Sequence, residues 1–507
     1  MHTKNIPNFG YVETKQNHSV NFSLSRENSA CNRPKVIVYS HMWIVKRMTN
    51  CPRFRKVRKE ITMEKRYTLP VAIALVVGTV IGSGVFFKAE AVLTKTGGNL
   101  TVGILAFIIM GVVMIISACT FGAVAQSHEG VEGLVGYAAA SCGKTYGYYV
   151  GWFMAVIYYP SLVSVLSWLP ARYFGVLMGW EDAVVGGRTM MLAGVFMVVT
   201  YTMNALAPKL AGKFAIATTI IKLIPLLLMA VVGTIVGLAN GMTEFNFSNV
   251  VTEMPFTEGL FGAIVSLAFA FEGWICATSI GAELKDSKKN MPRALLIGTL
   301  IVAIVYVIYY VGLAGAVESE VMMAGGEAGA KIAFQNIFGQ VGGAAIFVFV
   351  VISCWGTCNG LTMAVTRGMF DLATESDSPK LKLFKNVDPT TNMANNSAVF
   401  GLLVSSLWLL YFYGGAIMEG FGPFKFDSSE LPIITLYAIY IPIYIALLKR
   451  KDMPGFQGKV LPVLAILCSL FMVFAAIYSH RINVVYYLIV FLVIEVIGAF
   501  FKGGKKA

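Results

Sequence analysis

The chain has 507 residues, of which 57% are hydrophobic and only 13% charged, and its mean hydropathy is +0.70. A soluble protein would carry roughly 25% charged residues. This composition, with repeated apolar runs of about 20 residues, predicts an all-α integral membrane protein. A transmembrane β-barrel is excluded, because it would show short alternating segments instead.

The net charge of +13 is concentrated at the N-terminus. Residues 1–62 hold 12 Lys/Arg and 3 Asp/Glu, which leaves +4 for the rest of the chain. We interpret residues 1–62 as a basic, disordered tail. Because the excess positive charge belongs to this tail and the rest is a membrane domain, nucleic-acid binding is a poor explanation of the net charge. Alternatively the tail is not translated, because Lys59-Glu60 can be encoded by a bacterial ribosome-binding sequence just before Met63. Residues 63–502 then form the membrane domain, and 503–507 a cytoplasmic tail.

The polar residues do not form a catalytic or metal-binding set. The eight cysteines are scattered, and Cys354 and Cys358 have no His/Cys partners at zinc spacing. The five histidines are equally dispersed, and no Gly-x-Ser-x-Gly motif occurs. We therefore expect no metal, no cofactor and no enzymatic activity.

Twelve apolar segments are predicted as transmembrane helices. They lie near 70–94, 100–126, 146–177, 189–207, 213–238, 259–283, 293–317, 338–371, 396–414, 430–449, 459–479 and 482–501. Basic loops such as "KDSKKNMPR" and "KRKDMPGFQGK" alternate with acidic or mixed ones. By the positive-inside rule, both termini are predicted to be cytoplasmic.

The first segment carries "GTVIGSGVFF", in which Gly82 and Gly84 flank Ser83. Small residues of this kind also serve helix packing, but two glycines that directly flank a serine, rather than lying four residues apart on one face, favour an unwound backbone. An unwound turn frees N–H groups at the start of the second half-helix, which suit a carboxylate. The carbonyls before it, Ile81's among them, suit an ammonium group.

The sixth segment has a second break at "FAFEG", with Phe269 and Phe271 as apolar walls before Gly273. Breaks in segments one and six indicate two five-helix halves, and an odd number of helices per half makes them inverted repeats, as in secondary transporters. Inserting the Glu272 carboxylate near the centre of a transmembrane helix costs about 2.5–3.5 kcal/mol. It therefore has either a substrate- or proton-linked role or a structural ion pair.

Lys222 is a lone cation about ten residues into the fifth segment. One interpretation is snorkelling toward the interface. The other is a fixed positive charge inside the bundle, taking the place of a sodium ion and, if its proton is labile, serving as a coupling site.

The two motifs, "GTVIGSGVF" at 78–86 and "FAFEGW…AELKDSKKNMPRAL" at 269–295, resemble the amino acid–polyamine–organocation superfamily, and within it the L-type amino acid transporter family and its bacterial relatives. The resemblance covers roughly 66–500. It implies twelve helices in a five-plus-five inverted repeat, the LeuT-type fold. Phe271 replaces a usual tyrosine, Ala282 a glutamate, and Asp286-Ser287 an Asn-Pro pair.

The resemblance also implies residue roles. The substrate carboxylate would be bound by the amides of Ser83, Gly84 and Val85, and the amino group by the carbonyls of Ile81, Phe269 and Ala270. Phe269 would close over the substrate, and Lys222 would make transport sodium-independent. Glu272 stands where a small residue is usual, which admits a cationic substrate. Near the inner end of the sixth segment, Glu283 and Arg293 either form cytoplasmic gate pairs or belong to a solvated charge cluster.

These residues predict an amino acid permease in a bacterial plasma membrane, working by alternating access through proton coupling or exchange. A polyamine or cationic amino acid antiporter of the same fold is the alternative, and an ion channel is the rival from another class. Eukaryotic relatives are linked to a heavy chain through a cysteine between helices three and four. The corresponding loop here, "MGWEDAVVGGR", has none, so no disulfide-linked heavy chain is expected.

Overall fold

The computed structural model describes residues 67–502 except 129–130, 132, 282, 377 and 454. The predicted tails 1–62 and 503–507, and Met63, lie outside the described residues. Within them the only β-type pairing is one isolated bridge, between Tyr67 and Leu284. Twelve spans are long and apolar enough to cross a membrane, which confirms the predicted all-α, twelve-helix architecture.

The helices are numbered in chain order. They are α1 Leu69–Val80, α2 Ser83–Lys95, α3 Leu100–Ser127, α4 Gly133–Cys142, α5 Lys144–Leu177, α6 Gly187–Leu206, α7 Pro208–Ala239, α8 Met242–Ser248, α9 Phe256–Ala270, α10 Ser287–Ala314, α11 Ser319–Gly325, α12 Glu327–Glu375, α13 Asn395–Ile417, α14 Leu431–Leu448, α15 Phe456–His480 and α16 Asn483–Phe501. Helices α1 and α2 together form the first span, and α4, α8 and α11 are short connecting helices. The twelve predicted segments correspond to the spans within a few residues at most ends. Helix α12 is kinked at Gly339 (φ 74°, ψ 167°), and the part after the kink corresponds to the eighth predicted segment, 338–371.

The first span is broken where the sequence predicts. Helix α1 starts with Pro70 in its first turn, a position that needs no backbone N–H. It stops at Val80, because Ile81 leaves the helical conformation (ψ 106°). Gly82 is fully extended (φ −149°, ψ −153°), and α2 begins at Ser83. The break therefore covers two residues and leaves the α2 N-terminus uncapped by a side chain.

The sixth span is broken as well, and its first half is an α-helix whereas its second half is a 3-10 helix. Helix α9 ends at Ala270 and is followed by Phe271, Glu272 and Gly273. Gly273 has φ +106°, a conformation that side-chain-bearing residues rarely adopt. The chain continues as a 3-10 helix, Trp274–Ile280, rather than as the α-helix expected from the apolar run.

The packing places the broken spans at the centre. Helix α9 packs on α2 and α3, and α10 packs on α1, α3 and the fifth span α7. The most apolar stretches of the third and sixth spans are 89% and 83% buried, against 11% for α16. The third and sixth spans are thus interior, and α16 is peripheral.

Candidate functional site at the two broken helices

The two breaks touch each other through glycines. A Cβ atom built on Gly84 would lie 2.7 Å from the Ala270 Cα atom, and one on Gly273 would lie 2.6 Å from the Thr79 carbonyl oxygen. Distances below 3.0 Å are not sterically allowed for real Cβ atoms. Glycine is therefore required at both positions for the backbones of the first and sixth spans to meet.

Tyr306 joins the same two breaks from α10. Its hydroxyl is buried and lies 3.0 Å from the Val80 carbonyl oxygen and 3.1 Å from the Ala270 carbonyl oxygen. The single hydroxyl proton can be donated to either carbonyl, each of which lacks a helical partner because its helix has ended. The sequence analysis missed Tyr306, because nothing local marks it among the tyrosines of α10.

The predicted carboxylate site is the N-terminus of α2. Ile81, Ser83 and Val85 are all buried, and the Ser83 amide donates to the Thr357 hydroxyl of α12 over 3.3 Å. The Ser83 hydroxyl is buried without a hydrogen-bond partner among the described residues. Amides at a helix N-terminus carry partial positive charge, so this end of α2 suits an anionic group. Thr357 is a further residue that the sequence analysis missed.

Phe269 contacts a buried cluster that consists of Lys88, Glu430 and His480. The Lys88 Nζ atom lies 5.6 Å from the centroid of the Phe269 ring and 2.6 Å from Glu430 Oε1. The other carboxylate oxygen of Glu430 lies 3.1 Å from His480 Nε2. The cluster links α2, the start of α14 and the end of α15. A lone lysine four residues after the "GSG" motif was its one sequence signal.

Lys222 lies at an interruption of the fifth span. The stretch Pro208–Ile221 ends there, and the helix resumes at Leu223. Its side chain is buried, and Nζ donates to the Gly78 carbonyl of α1. A buried ammonium that bonds another helix is not snorkelling to an interface. The Lys222 Nζ atom therefore lies against α1 at Gly78, three residues before the break at Ile81.

Glu272 is in the sixth-span break itself and is 8% exposed. Neither carboxylate oxygen has a hydrogen-bond partner among the described residues. The structural ion pair weighed for Glu272 from the sequence is not present in the described part of the chain.

Glu283 and Arg293 follow the sixth span. The Glu283 carbonyl accepts a hydrogen bond from the Tyr67 amide over 3.1 Å, and Tyr67 in turn accepts one from the Lys285 amide. This backbone bridge ties the segment before α1 to the loop after the sixth span. The Arg293 side chain is exposed on α10, and no ion pair joins it to Glu283 within the described ranges.

Comparison of the sequence with known proteins identifies the family of this chain. The sequence signature of the family described as "Amino acid permease" matches residues 68–500. The serine/threonine exchanger SteT of Bacillus subtilis is 28% identical over 81% of this chain and 90% of its own length. The mouse b(0,+)-type amino acid transporter 1 is 23% identical over 83% and 84% of the two chains. The human cystine/glutamate transporter is 22% identical over 64% of each. The chain belongs to the amino acid permease family.

Proposed function

We propose that this protein is a sodium-independent secondary transporter that moves amino acids across a bacterial plasma membrane by alternating access. The observation that carries the proposal is the meeting of the two broken spans at Gly84–Ala270 and Gly273–Thr79. Irregular backbone inside a membrane protein is tolerated where it is buried in protein or lines a cavity, and paired broken helices form the substrate sites of secondary transporters.

The substrate is proposed to bind as a zwitterion. Its carboxylate would accept hydrogen bonds from the amides of Ser83, Gly84 and Val85, replacing the long 3.3 Å contact between the Ser83 amide and Thr357. Its ammonium group would donate to the carbonyls of Ile81, Phe269 and Ala270. The extended conformation of Gly82 supports this arrangement, because it separates the two half-helices.

Phe269 is proposed to close over the bound substrate on one side. Glu283 and Arg293 would contribute to closure on the cytoplasmic side, with both termini in the cytoplasm. The backbone bridge between Tyr67 and the Glu283–Lys285 loop supports a linkage there, because it joins the ends of both broken spans. No disulfide-linked heavy chain is proposed.

Sodium independence is proposed from Lys222. In related folds, unwound carbonyls near such breaks coordinate a cation. Here the Lys222 ammonium donates to the carbonyl of Gly78, in the last turn of α1 before the break. A lysine at this position is compatible with proton coupling and with exchange. The similarity to SteT, a serine/threonine exchanger, favours exchange.

Uptake in proteoliposomes tests the proposal. Labelled amino acid uptake should be saturable and unchanged when sodium is replaced by choline. It should be accelerated by internal amino acid if the protein is an exchanger, or by an inward proton gradient if it is a symporter. Sodium-dependent uptake would discard the role given to Lys222.

A double variant tests the site itself. Ser83→Ala with Gly84→Ala should abolish uptake, because the added Cβ meets Ala270 at the point where the two breaks touch. The matched control is Gly360→Ala on α12, where a Cβ meets nothing within 4 Å. Unaltered uptake by the double variant would reject the unwound site.

A cationic amino acid or polyamine is the second candidate substrate class. The observation that favours it is the buried carboxylate of Glu272 in the sixth-span break, which has no ion-pair partner among the described residues.

A further inference from the structure

The buried cluster of Lys88, Glu430 and His480 lies on the same side of the membrane as the half of the sixth span that carries Phe269. Lys88 is in α2, Glu430 directly precedes α14, and His480 ends α15. Consecutive spans cross a membrane in alternate directions. The end of the first span, the start of the sixth and tenth spans and the end of the eleventh therefore share one side, and Phe269 is in the α9 half of the sixth span.

One face of α2 contacts the last turn of α9 at two successive points. Lys88 follows Gly84 by four residues, so the two lie on the same face of the helix. Gly84 is the residue whose added Cβ would meet Ala270, and the Lys88 Nζ atom lies 5.6 Å from the ring centroid of Phe269, the residue before it. A cation within about 6 Å of an aromatic centroid is attracted by the negative face of the ring. The helix that begins at the first break therefore places a positive charge against Phe269.

Glu430 holds the lysine at this place. A lysine ammonium is carried on a flexible four-carbon stem, but here Nζ lies 2.6 Å from Glu430 Oε1. The other oxygen of Glu430 lies 3.1 Å from His480 Nε2. The Glu430 amide donates to Asp427 Oδ1 over 3.0 Å, which fixes the backbone at the start of α14. The carboxylate is thus restrained on both sides, and it restrains the lysine in turn.

Stability alone does not account for an ion pair at this position. The two side chains are only 4% and 7% exposed, and a buried pair gains little over apolar side chains of similar volume, because both ions lose their hydration. An apolar pair would fill the same space but would place no cation against the ring. The feature that depends on the charges is therefore the contact with Phe269.

We propose that Lys88 and Glu430 are positioning residues for the Phe269 gate. The ion pair holds the lysine ammonium against the ring and so stabilises Phe269 in the position that closes over the substrate. Lys88 acts through Phe269, and Glu430 acts through Lys88. The proposal rests on the proposed function, because it concerns the gate of the same site.

Transport kinetics of the full-length protein in proteoliposomes test this role. The probe is the amino acid that the wild type takes up fastest from an equimolar mixture of the labelled proteinogenic amino acids. Lys88→Met combined with Glu430→Leu keeps the space filled and removes the cation. This paired variant should raise KM about threefold to thirtyfold, the range of a cation–π contact out of water, and change kcat by a smaller factor. A wild-type KM in a paired variant of wild-type stability would show that the ion pair is only structural.

A double-mutant cycle tests whether the effect passes through the ring. Phe269→Leu keeps an apolar wall but removes the aromatic face. In this background the paired variant should change KM by less than about twofold, because the cation then has no ring to act on. Lys88→Arg, which keeps the cation, should stay within about twofold of the wild-type KM. An equal change of KM with and without the ring would overturn the proposal.

A labelling measurement follows the gate without transport. Val85 is fully buried beside the first break, so Val85→Cys places a thiol behind the gate. Its reaction with a membrane-impermeant maleimide, in excess of the reaction of the protein without this cysteine, should be faster in the paired variant by about the same threefold to thirtyfold. The matched control is Glu419→Gln, in an ion pair that is also 2.6 Å long but exposed. It should leave KM and the labelling rate unchanged.

The outcomes separate this proposal from the proposed function. Unchanged labelling and unchanged KM in the paired variant would overturn the positioning role and leave the transporter standing. No uptake of any amino acid by the folded wild-type protein would overturn both. If the paired variant is not monodisperse, Lys88→Gln with Glu430→Gln, which also removes both charges, should give the same rise in KM, and a wild-type KM there would overturn the positioning role.

Discussion

The buried pair of Lys88 and Glu430 gives the sharpest energetic prediction. Their charged atoms are 2.6 Å apart, and the two side chains are only 4% and 7% exposed. At an effective dielectric constant of about 20, this distance corresponds to an attraction of about 6 kcal/mol, opposed by the desolvation of two ions. The net contribution of the intact pair is therefore small, but the loss of either member is costly.

Glu430→Leu removes the carboxylate that faces both Lys88 and His480. We expect it to lower the free energy of unfolding by about 3–5 kcal/mol, because a buried charge loses its compensation. Lys88→Met should lower the free energy of unfolding by a similar amount. The double variant should lie within about 1–2 kcal/mol of the wild type, because two apolar side chains of similar volume then fill the same space.

Unfolding of the purified protein in increasing sodium dodecyl sulfate, followed by tryptophan fluorescence, measures all three variants. The control is the pair of Lys425 and Glu419, which is also 2.6 Å long but 45% and 62% exposed. Its disruption by Glu419→Gln should change stability by less than about 1 kcal/mol. The reasoning is refuted if the double variant is destabilised by the sum of the single effects, since the two residues would then not be coupled.

Three further predictions concern the broken spans. Gly84→Val should abolish transport and destabilise the protein by about 1–3 kcal/mol, because its Cβ would lie 2.7 Å from the Ala270 Cα atom; normal uptake would contradict this close approach. Gly273→Ala should be similarly damaging, because φ is +106° there, whereas Gly360→Ala should leave the melting temperature unchanged or raise it. Tyr306→Phe should keep the fold and slow uptake several-fold, because the carbonyls at both breaks lose the one hydrogen bond that they share, worth about 0.5–1.5 kcal/mol; an unchanged rate would show that the bridge is not used.

The sequence by itself determined the class of the protein and the positions of the two helix breaks along the chain. Apolar runs of transmembrane length specify helices almost without regard to context, because an unsatisfied backbone is not tolerated in lipid. Glycines at 82, 84 and 273 mark the two breaks, because glycine is a weak helix former and so can be recognised within a window of a few residues. The close approach of Gly84 to Ala270 and of Gly273 to Thr79 is a tertiary contact that this window does not contain.

Only the tertiary structure decided which distant side chains complete the site. Lys88 and Glu430 are 342 positions apart, yet they form one ion pair. Tyr306 lies within hydrogen-bonding distance of the Val80 and Ala270 carbonyls, which are 190 positions apart, and so touches both breaks. No local pattern distinguishes these residues from other tyrosines and carboxylates of the chain. Their roles depend on how the helices rotate and cross, and that is set by packing of the whole bundle rather than by the periodicity of any one helix.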